Sequence, residues 1–404
     1  VFKTSRKRKA IYLAVLFVLM CLCVFAAQNN KIRAWLVGRA CSVNIVAFDS
    51  CASAEAKAKA AEAKIAKEKA LADASRNELI NREGFKNNNV KILSSIDKDG
   101  SLNYLYSDID YIYERNAQYC PSYSNSFLDN LKETHKITCS RIVYKNTEHQ
   151  TFSLLIEAPA SSKAGKLLVY NHGHGGLPRE SEPFALTFFN DALTKGYDIL
   201  LISMPFVGLN AINYNFGFDS WDGPAVASAK TLYNNPSYMH GVFNLVNTGE
   251  SHYMRYFIDN AVIPVLDLRD KYKSIDYVGL SGGANTGLYA CSLLKNILNH
   301  CVLVAGVMPI NLRTRPKAFG DAEQISPSFF NRNSLFRIIR GISVSKTKLS
   351  LIYNDNDPCC FMKESAKMFK QQLISKSINV DFVIRSSDKH DYDSNEIMRI
   401  ISSP

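Results

Sequence analysis

The chain has 404 residues, 47% of them hydrophobic and 21% charged, with a formal net charge of +11. This is globular composition, and the length exceeds what one compact domain without appendages needs. The positive charge does not indicate nucleic acid. It is concentrated in Lys3, Arg6, Lys7, Arg8 and Lys9, followed by Lys31, Arg33 and Arg39, and elsewhere the two signs are interspersed with no basic stripe carrying interleaved aromatics.

Residues 10–27, AIYLAVLFVLMCLCVFAA, are uncharged and apolar, about the length that spans a bilayer. The preceding cations predict a cytoplasmic basic tail at 1–9, a single-pass signal anchor at 10–27 and an extracytoplasmic body. The alternative is a cleaved signal peptide and a secreted chain, with Val24-Phe25-Ala26 ahead of the cut. Residues 28–100 read as a spacer. Its core, 52–79, is mostly Ala, Lys and Glu, all strong helix formers. Large apolar residues are scarce there, so a solvated helix with at most weak self-association is expected.

The ten cysteines have no metal-ligand spacing. Cys41/Cys51 and Cys120/Cys139 are candidate disulfides in an oxidising compartment, Cys291 and Cys301 fall in core segments, and Cys359 and Cys360 read as free thiols.

Residues 101–134 read as an N-terminal extension, and 135–404 as the main domain. Two strands around a polar turn, KITCSRIVY (136–144) and TFSLLIEAP (151–159), open it. Strands then follow at 166–171, 198–205, 276–281, 301–307, 348–354 and 379–385. Helical patterns lie between and after them at 181–197, 253–272, 283–298, 362–376 and 392–402, the second kinked at Pro264. A hairpin leading into alternating strands and helices predicts an α/β fold, a mostly parallel sheet with helices on both faces. Segments 206–252 and 308–347 interrupt the rhythm as long insertions, of the kind that forms lids or substrate walls.

The chemistry centres on DYVGLSGGANTG, residues 276–287. Gly279-Leu280-Ser281-Gly282-Gly283 fits G-x-S-x-G between a strand and a helix, the setting in which a serine is held on a strained turn as a nucleophile. Such a serine needs a base and an acid. Of the two histidines after Ser281, His300 begins a strand at the wrong end, which leaves His390 in the loop after the last strand. Asp357, just past the strand 348–354, is the favoured acid and Asp355 the alternative. Oxyanion donors are expected from the Gly282 N–H and from the loop 172–176, His174 first and Gly173 second. His172 and His174 at i, i+2 resemble metal ligands, but no further cluster accompanies them, so no metal or other cofactor is expected. His172 is expected to shape the loop by a structural hydrogen bond.

Gly279–Gly283, Asp357, His390 and His172–Gly176, in this order, resemble the α/β-hydrolase superfamily over residues 135–404. The HGHGG run is similar to that of its dienelactone-hydrolase-like and acetyl-xylan-esterase-like branches. The resemblance implies an eight-stranded sheet, a Ser281–His390–Asp357 triad and ester hydrolysis. The expectation is a membrane-anchored hydrolase of a small or carbohydrate-type ester, against a peptidase on the same fold or a non-catalytic tethered scaffold.

Overall fold

The computed structural model describes residues 111–117, 120–121, 125–144, 149–161, 164–211, 215–220, 223–228, 253–313, 321–325, 327–330, 333–359 and 363–403, with residues 63, 67, 70, 74, 102, 240, 243 and 361. The apolar run 10–27 and the pair Cys41/Cys51 lie outside these residues. Among the described residues no helix is long and apolar enough to cross a membrane. Of the spacer, Ala63, Lys67, Ala70 and Ala74 are described, and each is helical and exposed.

The main body is built on a nine-stranded sheet. Its strands are β1 (Tyr111–Arg115), β2 (Ile137–Tyr144), β3 (Gln150–Ile156), β4 (Lys166–Asn171), β5 (Tyr197–Ile202), β8 (Ser274–Leu280), β9 (His300–Val304), β10 (Lys348–Asn354) and β11 (Asp381–Arg385), while β6 (Asn215–Ser220) and β7 (Gly223–Ser228) form a separate hairpin. The order across the sheet is β1-β2-β3-β5-β4-β8-β9-β10-β11. The first three strands run antiparallel to their neighbours, and β5, β4, β8, β9, β10 and β11 are mutually parallel. The sequences of β4, β5, β8 and β9 are near-continuous apolar runs buried along their length, as a parallel sheet covered on both faces requires.

Two groups of helices pack on the sheet. Pro183–Thr194 and Ser394–Ile401 pack together against β5 and β9, whereas Arg255–Leu268, Gly282–Leu293 and Leu335–Ser343 pack together against β2, β3, β8, β9 and β10. The helix over Arg255–Leu268 includes Pro264 and is buried along nearly its whole length.

The eight strands expected from the sequence are all present. The ninth, β1, corrects the count and brings part of the 101–134 extension into the sheet. It pairs with β2 from Tyr111↔Tyr144 to Arg115↔Ser140. Ion pairs fix it there: Arg115 Nε and Nη2 donate to the Asp267 carboxylate at 2.6 and 2.5 Å, and Arg141 Nη2 donates to Glu114 Oε2 at 2.8 Å. Disulfide Cys120–Cys139 ties the segment after β1 to β2. Cys291 and Cys301, both fully buried, also form a disulfide. Cys359 is disulfide-bonded too, which corrects its reading as a free thiol.

The insertions are not structureless. The first contains the β6–β7 hairpin, and the second contains short helices at Ala322–Ile325 and Pro327–Phe330 and a longer one at Leu335–Ser343. In the first insertion Phe206 and Phe243 are buried in an aromatic cluster with His149, Tyr253 and Tyr256.

Candidate active site

Parallel strands deliver their connecting loops to one edge of the sheet, the edge at which α/β folds hold their ligands. Asn171, Leu280, Val304, Asn354 and Arg385 end their strands there. The candidate residues all follow these ends.

Ser281 sits between β8 and the helix Gly282–Leu293 with φ 57° and ψ −123°, a conformation that L-residues rarely adopt. Its N–H donates to Val304 O at 2.9 Å, and its carbonyl accepts from Ala284 and Asn285 N–H at 3.0 and 3.1 Å. The turn is therefore held from both sides. It is also tight: a methyl group on Gly279 would collide with the backbone of Gly283, and one on Gly283 with Asn171 O. This is why the motif needs glycine at both positions.

A parallel sheet entered by an antiparallel hairpin, with a serine at positive φ on the strand-to-helix turn of a central strand, decides the architecture. The chain has the α/β-hydrolase fold.

The sequence matches no family model and no curated protein. Among solved structures, it is similar to S-formylglutathione hydrolase from Staphylococcus aureus at 12% identity and TM-score 0.41, covering 66% of this chain and 98% of that one. It is similar to Est1E from Butyrivibrio proteoclasticus at 12% identity and TM-score 0.38, covering 62% and 92%. It is also similar to dipeptidyl peptidase 4 from Porphyromonas gingivalis at 11% identity and TM-score 0.38, covering 66% and 34%. The chain spans about a third of the length of the peptidase structures it matches. The fold assignment stands on the strand arrangement and the Ser281 turn.

The loop after β10 carries Asp357, 1% exposed, and the loop after β11 carries His390. The two meet: His390 Nδ1 lies 2.8 Å from Asp357 Oδ2. The other carboxylate oxygen accepts the Cys359 N–H at 2.7 Å, which fixes its rotation. Phe361 stacks on the imidazole, with ring centroids 6.4 Å apart and 15° between planes. His390 Nε2 is buried and has no hydrogen-bond partner among the described residues, so no bond joins it to Ser281 Oγ. Catalytic contacts of this kind often close only around substrate.

Asp355 does different work. Its Oδ1 accepts the Ser387 N–H at 3.0 Å and so ties the end of β10 to the loop after β11, while Oδ2 lies 3.8 Å from Lys363 Nζ. His300 pairs with Asp276 at the opposite sheet edge, Nδ1 to Oδ1 at 2.8 Å.

The 172–176 loop forms a 3-10 turn over Gly173–Gly175 against the serine turn. Gly173, at φ 68°, approaches so closely that an added methyl would lie 2.9 Å from Gly282 N. The Gly173 N–H itself donates to Asn171 Oδ1 at 3.0 Å. Of the two loop donors expected from sequence, Gly173 is thus already engaged. The Gly282 N–H opens a helix, where the first N–H groups lack intrahelical acceptors. His172 is structural, as expected: its Nδ1 lies 2.7 Å from Tyr170 Oη and its Nε2 3.0 Å from Glu182 Oε2. Tyr392, two residues after His390, donates to Tyr170 Oη at 2.9 Å and extends this buried chain to the histidine loop.

The side chain of His174 meets a cluster that sequence reasoning missed. Its Nε2 lies 3.4 Å from Asp321 Oδ2 and 3.2 Å from Glu323 Oε1, and His240 Nδ1 lies 3.5 and 3.0 Å from the same two carboxylates. Burial alone lowers the His174 pKa, but the Asp321 and Glu323 carboxylates beside it outweigh that and push it up to about 10. Burial works to raise Glu323, yet His240 and His174 hold it well below the usual carboxylate range. These residues come from three segments separated by 66 or more positions (174 to 240), so no local motif joins them.

Proposed function

We propose that the chain is a serine hydrolase of carboxylic esters that works through Ser281, His390 and Asp357. The observation that carries this reading is the Asp357–His390 pair, 2.8 Å between oxygen and nitrogen, at the same sheet edge as a serine held at φ 57°. Ordinary turns do not hold serine in that conformation, and it is costly to keep without a use.

In this mechanism Asp357 accepts the His390 Nδ1–H and leaves the lone pair on Nε2. Ser281 Oγ attacks the ester carbonyl as its proton passes to Nε2. The N–H groups of Gly282 and His174 stabilise the oxyanion, and Nε2–H then protonates the departing alkoxide. Water repeats the sequence on the acyl-enzyme: its proton goes to Nε2, its oxygen bonds to the acyl carbon, and Ser281 leaves with the proton returned. The substrate class is a small or carbohydrate-linked ester.

The reading sets the catalytic domain outside the cytoplasm, on an uncleaved anchor at residues 10–27. Support comes from the apolar run behind five cations and from disulfides Cys120–Cys139 and Cys291–Cys301, since such bonds persist in oxidising compartments.

The test compares short-chain p-nitrophenyl esters with aminoacyl p-nitroanilides. Turnover of the esters alone supports the proposal. Preference for the anilides makes the chain a peptidase, and turnover of neither, with folded protein, makes it a tethered scaffold.

A further inference from the structure

We propose that His174, His240, Asp321 and Glu323 form a zinc site that fastens both insertions to the turn carrying Ser281. One ligand atom from each, two imidazole nitrogens and two carboxylate oxygens, all lie within 4.8 Å of one another. Zinc takes such nitrogen and oxygen donors at 2.0–2.1 Å, and the edge of a tetrahedron of that size is about 3.3 Å. The nitrogen–oxygen separations here are 3.4, 3.2, 3.5 and 3.0 Å. The two Asp321 distances share Oδ2, whereas the Glu323 distances run from Oε1 to His174 and from Oε2 to His240; three of the four are long for charge-assisted hydrogen bonds, which close to about 2.7–2.9 Å, and all lie near the edge length of a zinc coordination shell.

The hydrogen positions point the same way. His240 Nε2 lies 2.8 Å from Pro205 O. A carbonyl oxygen only accepts, so Nε2 carries a hydrogen, and Nδ1 is the ring nitrogen that faces the two carboxylates and is placed to serve as a ligand. A backbone carbonyl on the far nitrogen is the usual partner of a metal-bound histidine. Glu323 supplies an independent sign. Its carboxylate is fully buried, and Oε1, 3.2 Å from His174 Nε2, has no hydrogen bond among the described residues. A buried carboxylate oxygen without a donor is costly unless a cation answers it.

Charge balance agrees, because one divalent ion neutralises two carboxylates and leaves both histidines neutral. The site is also braced. Asn285, on the helix that begins at Gly282, donates to Glu323 O at 3.1 Å, and Tyr253 donates to Ala322 O at 3.0 Å. His174 and Asp321 keep side-chain exposures of 30% and 17%, which leaves an entry for the ion.

The position gives the ion a purpose. The His174 ring covers Gly282, and a methyl group there would lie 2.6 Å from Nδ1. Binding would set the loop 172–176 against the serine turn and hold His240 from one insertion and Asp321 and Glu323 from the other. No step of ester hydrolysis passes through the ion, so the proposal does not depend on the reaction assigned to Ser281.

The test loads the purified full chain with zinc chloride, removes excess by gel filtration and measures bound metal. One zinc per chain is expected, falling at least tenfold in His240→Gln and in Glu323→Gln. Cobalt replacing zinc should give the visible absorption of a tetrahedral nitrogen–oxygen site, a readout that stands even if both variants fail to fold. Less than a tenth of an equivalent of zinc in the wild type, equal zinc in folded variants, or the weak spectrum of octahedral cobalt would each overturn the site.

Discussion

Replacing Asp357 by Asn tests the acid assignment at atomic detail. The carboxylate has two tasks: Oδ1 accepts the Cys359 N–H at 2.7 Å, and Oδ2 faces His390 Nδ1 at 2.8 Å. An asparagine amide has one acceptor and one donor end. Its oxygen must stay on the Cys359 N–H, because turning it would set two donors face to face. The NH₂ group then faces His390 and donates to Nδ1, which forces the ring hydrogen onto Nε2. In that tautomer the ring cannot take the Ser281 proton. The expected loss in kcat is on the order of 10⁴-fold, equivalent to about 5 kcal/mol of transition-state stabilisation. Asp355→Asn should do little, because its amide oxygen still accepts the Ser387 N–H. Only the 3.8 Å approach to the half-exposed Lys363 is lost, worth less than about 1 kcal/mol of stability. The assay is hydrolysis of p-nitrophenyl acetate by both variants, with thermal melts to confirm folding. Loss of turnover in folded Asp355→Asn with Asp357→Asn intact would refute the reasoning.

Two further outcomes concern stability. His149, packed on Tyr256 with ring centroids 4.1 Å apart, has its pKa lowered to about 3 by burial. The unfolded chain takes up this proton near pH 6.5 and the folded one does not, so the contribution is whole above that pH and is lost as pH falls toward 3. About 2 kcal/mol of it goes between pH 7 and pH 5, and denaturant melts at the two pH values should show His149→Phe less pH-dependent by that amount. An unchanged pH slope would contradict the burial argument. Removing the Cys120–Cys139 disulfide, which spans 19 residues, by a double serine substitution should cost about 3 kcal/mol in the same melts.

Most of the sheet was legible because strands buried on both faces are spelled as long apolar runs. KLLVYN, DYVGL and HCVLV need no context. The Ser281 turn was legible for a related reason, since close backbone approach admits only glycine at Gly279 and Gly283. Chain order supplied His390, and the proline after Asp357 marked the turn that brings the acid round. β1 was not legible: YIYER is five residues long and carries its charges at the end that pairs with Asp267 and Arg141, a partnership invisible before folding. The cluster at His174 escaped for the same reason. His240, Asp321 and Glu323 stand far apart in the two insertions, joined by no local motif, and only the fold sets them beside the elbow. Cys291 and Cys301 read as ordinary core because small buried cysteines and paired ones occupy the same kind of apolar segment.

The central claim, that Ser281 is an activated nucleophile, is tested most directly by covalent labelling. A fluorophosphonate reacts only with a serine whose proton is taken and whose oxyanion is held. The account predicts stoichiometric labelling of the wild type, the adduct on the peptide containing Ser281, and none in Ser281→Ala. Equal labelling of the alanine variant, or no labelling of folded wild-type protein, would contradict it.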